Sequence, residues 1–273
     1  MHDEHIDLLG QRVHLVDLSH RLEPTPSEPL APVVRTQTHD DGAELWQALY
    51  GIPQAALPQG HGFASEVLDR LSTHAGTHVD APWHYAPVAG GAAAPTIDQV
   101  PLTWCAGRLV ILDLSDLATG HLVTAHEVNQ RLSATPHELR PGDIVALYTG
   151  AEKSWGSEQF WETGCGLGRE AVLALLDRGV RAIGTDAWSL DRPYPLIGSE
   201  WRDRRDPSAL WPAHFAGIER PYLQLEKLAN LTTLPLTGAT IIAFPVKIAN
   251  GSGAWTRAVA LIPDELHHHP LTS

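Results

Sequence analysis

Short apolar runs, punctuated by Gly, Pro and charged residues, dominate the chain, a pattern expected of strands buried within a sheet. Gly107 to Leu114 (GRLVILDL) is one such run. Ile144 to Thr149, launched by the Pro141-Gly142-Asp143 turn, is a second, and Val180 to Thr185 a third. Helical segments alternate with them. Thr124-Ala-His-Glu127 offers a capping box for a helix carrying Val128 and Leu132, and Arg169 to Arg178 reads as a helix closed by Gly179. Alternation of this kind predicts an α/β fold.

The flanks follow other rules. Residues 12–19 read as a first strand, and four prolines then precede a second extended stretch at Val33-Val34-Arg35. Between 40 and 63 no single period holds, and a helix plus a long loop is expected. Its aromatics, Trp46, Tyr50 and Phe63, suit either a binding lid or packing onto the domain or a partner subunit. Residues 65–73 read as a strand and 87–96 as a loop. Thr240 to Ile248 and Ala254 to Ile262 are separated by Asn250-Gly-Ser-Gly253, which predicts an antiparallel hairpin and therefore a mixed sheet.

Composition narrows the partners. With 32 acidic against 19 basic side chains the formal net charge is −13, a field that repels phosphate backbones and anionic membrane surfaces. Nucleic acid and membrane are thus not expected as partners. No run approaches a membrane span, the N-terminus lacks the basic and apolar regions of a signal peptide, and two cysteines make neither a disulfide framework nor a zinc ribbon. A cytoplasmic location and one domain over 1–273 are the resulting expectations.

The candidate chemistry lies in His74-Ala-Gly-Thr-His78-Val-Asp80-Ala-Pro-Trp-His84, three imidazoles and a carboxylate in eleven positions. Imidazole nitrogen and carboxylate oxygen are the donors of a catalytic divalent-metal site. In a regular strand His74 and His78 would stand about 13 Å apart, too far to share one ion, and Gly76, Thr77, Val79 and Pro82 argue against a helix. A bend remains. Gly76 can take backbone angles closed to other residues, which would aim His74, His78 and Asp80 at one point, while Pro82 stiffens the exit toward His84. The competing reading is of surface histidines in a chain that has 16 of them, and it leaves the placement of Asp80, Gly76 and Pro82 unexplained. A metal hydrolase also needs an acid and a base. His214, with Gln224 and Glu226 ten and twelve residues later, supplies candidates, the last two on one face if extended, although taken alone His214 and Glu226 read as surface residues. The His267-His-His269 run reads as solvated. Gly164-Cys-Gly-Leu-Gly168 is not a dinucleotide fingerprint, since its spacing is wrong and no strand directly precedes it.

Together with Thr185-Asp186-x-x-Ser189-x-Asp191 and Glu226-x-Leu-x-Asn230-Leu, these motifs make the chain resemble the metal-dependent cyclase family from about residue 13 to 262. Within it, the segment 150–191 is most similar to the isatin hydrolase branch. The resemblance implies a swivelling β/β/α fold and a homodimer. It also implies Zn²⁺ or Mn²⁺ on His74, His78 and Asp80, with Gln224 or Glu226 as a further ligand and one or two ions. The implied reaction is metal-assisted hydrolysis of a small aromatic or cyclic amide, with His84 as acid/base and His214 and Glu226 assisting. Lactone hydrolysis, metal-dependent cyclisation or dehydration, and a non-catalytic metal-binding role are the alternatives.

Overall fold

In the computed structural model, residues 5–135 and 138–266 are described; the His267–His269 run lies outside them. Ten strands form one mixed sheet. Four central strands, Ala106–Asp113, Ile144–Tyr148, Ala182–Thr185 and Leu223–Glu226, lie parallel and in that order. An antiparallel wing, Thr237–Ile242, Val259–Pro263, Gln11–Asp17 and His5–Leu8, extends from Ala106–Asp113. On the other side His78–Asp80 pairs antiparallel with Leu223–Glu226, and Gly253–Trp255 forms the edge beyond it. The expected α/β fold with a mixed sheet is observed.

Alternation along the central strands divides the core in two. Leu109, Ile111, Ile144 and Ala146 join Val16, Leu225, Ala254 and Ile262 in one cluster that packs sheet against sheet. Val110, Leu112, Val145 and Leu147 face the opposite way, onto Val128 of the helix Ala125–Ala134 and Val172, Leu175 and Leu176 of the helix Arg169–Leu176. The layers are therefore β, β and α. The first helix carries the predicted capping box, Thr124 with Glu127, and the second is followed by Gly179 at φ +90°.

The predicted hairpin is only half right. Thr237–Ile242 and Val259–Pro263 do pair antiparallel, with Thr240 opposite Leu261. The strands stop short, however, and Gly253–Trp255 leaves to pair with His78–Asp80, which puts it seven places from Val259–Pro263 in the sheet order. Seven strand spacings would span about 34 Å on a flat sheet, whereas Trp255 and Val259 are four Cα steps apart, at most about 15 Å. The sheet is rolled up. Backbone bonds at its seam agree: Leu18 N donates to Ala258 O at 2.9 Å and Ala229 N to Leu18 O at 2.9 Å.

Residues 33–70 form an arm that packs chiefly on itself. Val33–Gln37 and Ser65–Arg70 make a two-stranded ribbon, and His39–Tyr50 is a helix capped by Thr38 and Asp41. Trp46 meets Tyr50 and Phe63 at 5.3 and 5.5 Å between ring centroids, yet Tyr50 and Phe63 remain 67% and 74% exposed. No helix among the described residues is long and apolar enough to cross a membrane.

Candidate metal centre

The register of three strands builds the site. His78 lies opposite Glu226, Asp80 opposite Gln224, and Asp80 opposite Gly253 on the other side. Directly opposed residues of an antiparallel pair share a face, so His78, Asp80, Gln224 and Glu226 converge while Val79, Leu225 and Ala254 turn to the core. His74 arrives from the preceding bend, where Gly76 has φ +62°, the left-handed conformation expected of it. His84 sits on the single helical turn Pro82–Tyr85.

Each imidazole is oriented by a neighbour. His78 Nδ1 donates to the carbonyl of Gly76 at 2.8 Å, leaving Nε2 to face Asp80 Oδ1 at 3.2 Å and Glu226 Oε2 at 3.6 Å. Two ligands of a tetrahedral ion with bonds near 2.0 Å stand about 3.3 Å apart, so the first spacing is already a ligand spacing. His74 Nδ1 lies 2.6 Å from Asp80 Oδ1, and its Nε2 lies 3.0 Å from Ser252 Oγ. The former contact is a hydrogen bond, whose proton must leave before both atoms share an ion. His214 Nδ1 donates to Asp191 Oδ2 at 2.6 Å and presents Nε2 to Asp80 Oδ2 at 3.9 Å. Asp191 also accepts from the amides of Ala213 and His214, fastening the helix Pro212–Glu219 that carries the ring.

At this site three fully buried polar atoms have no hydrogen-bond partner: His78 Nε2, Asp80 Oδ2 and Gln224 Oε1. Unmade bonds of this kind are costly. The Gln224 amide is not free to turn. Tyr222 OH donates to Ala213 O at 2.7 Å and must therefore accept from Gln224 Nε2, also at 2.7 Å, so the oxygen is the end left without a bond. An imidazole nitrogen, a carboxylate oxygen and an amide oxygen are donors that a divalent ion satisfies together, and the residues present thus fit such an ion. His74, His78 and Asp80 offer atoms within 4.8 Å of one another, and so do Asp80, His84 and His214.

Charge follows the geometry. Burial works against the Asp80 carboxylate, but His78, His74 and His84 hold it well below the ordinary range. Burial and the nearby Asp80 charge push Glu226 up, against the pull of His214 and His78. His84, whose ring still reaches solvent, is lowered to about 4 by loss of hydration and by the surrounding imidazoles, despite Asp80. Burial opposes charge on His214 as well, yet Asp191, Glu226 and Asp80 raise it to about 9.

All seven expected side chains thus meet: His74, His78, Asp80, His84, His214, Gln224 and Glu226 crowd one end of the sheet. Asp186, from the third motif, lies elsewhere. Its carboxylate takes the amides of Thr149 and Gly150 at 2.7 and 2.8 Å and fastens a loop. Sequence reasoning missed Tyr222, Ser252 and Gly253. A Cβ on Gly253 would come within 2.8 Å of His74 Cε1 and 3.1 Å of Asp80 Oδ1; the signal was the Gly-Ser-Gly run, which reads equally as a loop.

This combination of layers and a buried His/Asp centre defines an α/β protein built around a metal-ligand cluster. The Cyclase family model matches residues 16–192. Over 190 residues the chain is 30% identical to a kynurenine formamidase from Salinibacter ruber, covering 70% of this chain and 76% of that one. An isatin hydrolase from Roseibium aggregatum is 30% identical over 216 residues, 71% of this chain and 73% of the relative. Among solved structures, an isatin hydrolase bound to the product analogue thioisatinate aligns with TM-score 0.70 at 24% identity, covering 92% and 93% of the two chains. Isatin hydrolase A from Labrenzia aggregata, bound to benzyl benzoate, aligns with TM-score 0.67 at 25% identity over 92% and 94%. The chain belongs to the Cyclase family and has the fold expected of it.

Proposed function

We propose that this protein is a metal-dependent hydrolase of the C–N bond in small aromatic or cyclic amides, of the arylformamide or isatin-like lactam type. The observation that carries the reading is the trio of buried, partnerless donor atoms on His78, Asp80 and Gln224, set beside His74 and His84. The substrate class follows the kynurenine formamidase and isatin hydrolase relatives. His74, His78 and Asp80 hold the ion, Zn²⁺ or Mn²⁺, and Gln224 is the further ligand. Gln224 is preferred to Glu226 because its Oε1 is buried with no hydrogen-bond partner, whereas Glu226 is already held through its Oε1 by the Leu190 amide at 3.0 Å.

Such an ion supplies Lewis-acid chemistry, acidifying water and polarising a carbonyl. The protein moves the protons. His84, uncharged near neutrality, takes a proton from the attacking water as its oxygen adds to the carbonyl carbon, then returns it to the nitrogen as the C–N bond breaks. His214, held by Asp191, donates a hydrogen bond toward the developing oxyanion. Glu226 stays fixed by the Leu190 amide, and its charge favours the protonated form of His214.

The enzyme works as a homodimer in the cytoplasm. Support for the dimer is the arm, whose Leu49, Tyr50 and Phe63 are 62%, 67% and 74% exposed; support for the compartment is the pair of buried free thiols, Cys105 and Cys165. The test is turnover of isatin, N-formylkynurenine and simple lactones by the purified protein, with and without chelator. Chelator-sensitive amide cleavage is expected; lactone turnover alone, or a ring-closed or dehydrated product, would replace this reading.

A further inference from the structure

A bend that turns His74 back onto Asp80 leaves backbone polar groups at 74–77 without sheet partners, and buried groups of that kind need others. Two charged side chains provide them. Lys227 Nζ donates to the carbonyl of His74 at 2.9 Å and to Glu28 Oε1 at 2.8 Å. Glu28 Oε1 in turn accepts from the amide of Gly76 at 2.7 Å. The Lys227 carbonyl accepts from the Thr77 hydroxyl at 2.5 Å. Both side chains are buried, Lys227 at 1% exposure and Glu28 at 7%, and the ammonium lies 3.6 Å from the centre of the Trp188 ring, a cation–π seat that closes it from water. Lys227 itself is held at φ +60°, an unusual backbone for lysine.

We infer that Lys227 and Glu28 are positioning residues for the metal centre, an internal strut that fixes the His74–Thr77 bend in its ligand-presenting shape. The inference rests on the reading of His74, His78 and Asp80 as metal ligands. The two side chains come from opposite ends of the chain, 199 residues apart. Between them they hold the carbonyl of one ligand and the amide of the glycine that makes the turn. Partners that orient metal ligands commonly set affinity by about 10–100-fold. A fastening unrelated to metal needs no contact with His74 or Gly76; here both are made.

The experiment is titration of the metal-free full-length protein with Zn²⁺ and with Mn²⁺, against thermal unfolding of the same samples without metal. Lys227→Met is expected to weaken metal binding about 10–100-fold, and also to destabilise the protein, because Glu28 is left buried and unpaired. The double variant Glu28→Gln/Lys227→Met removes that unpaired charge. Its unfolding midpoint is expected to return toward wild type while its metal affinity stays at least about tenfold weak. Affinity that recovers together with stability overturns the proposal, for that is what a purely structural pair would do. Should the double variant fail to fold, Glu28→Asp keeps the charge and withdraws the carboxylate by one methylene; severalfold weaker metal binding is expected, and wild-type affinity overturns the strut. Wild-type protein that binds neither ion overturns the metal reading along with this one, whereas a metal-binding wild type with indifferent variants overturns this one alone.

Discussion

Ser65–Arg70 and His78–Asp80 are strands separated by seven residues, and every position of the first is exposed while every position of the second is buried. Extended backbone is common to both; what differs is the company. The first pairs only with Val33–Gln37, and a two-stranded ribbon has little on which to bury a face. The second is paired on both edges, by Leu223–Glu226 and Gly253–Trp255, and lies over the inner core. Function divides the same way. Buried strands can hold side chains to ångström tolerances, and the ligand cluster is there; the arm leaves Tyr50 and Phe63 exposed.

The contrast can be broken at its strongest point by Asp80→Asn. Loss of a direct ligand is expected to exceed the roughly 10–100-fold effect of supporting residues, read as metal equivalents retained after dialysis; a full equivalent would exclude direct ligation. His84→Ala should lower kcat by about 10²–10⁴-fold with metal content unchanged, and near-wild-type turnover would remove its acid/base role. Gly253→Ala forces a methyl against His74 and Asp80. Overpacking of this kind costs about 1–3 kcal/mol, checked by the metal-free unfolding midpoint, and metal affinity should fall with it. On the arm, Tyr50→Ser with Phe63→Ser should change subunit stability by no more than about 0.5 kcal/mol and leave metal affinity alone. Sedimentation would nevertheless shift toward monomer; a persistent dimer would assign the interface elsewhere.

What was legible in the sequence was whatever is local. His74, His78 and Asp80 lie within seven positions, and the conformation of Gly76 follows from the need to fold them together. The capping box at Thr124 and the central strands also carry their signals in a few consecutive residues. The distal half of the site was not legible in that way. Only the register between Leu223–Glu226 and His78–Asp80 brings Gln224 opposite Asp80, and register across 144 residues has no local mark, so resemblance alone pointed to it. Gly253 was misread for a related reason: the residue makes room for His74, a neighbour from far upstream. Glu28 stood in a proline-rich stretch that gave no hint of burial, and its partner followed Glu226 as one more polar residue.

The rolled sheet also fixes a sequence of events. His78–Asp80 is made early by a growing chain, but its two neighbours lie at residues 223–226 and 253–255. Until residues 223–226 and 253–255 have left the ribosome, the ligand strand lacks its two neighbours. A chain truncated at residue 250 lacks one of the two neighbours of the ligand strand and should fail to retain metal on dialysis. Synthesis of the site's scaffold is complete only once residue 255 has been added.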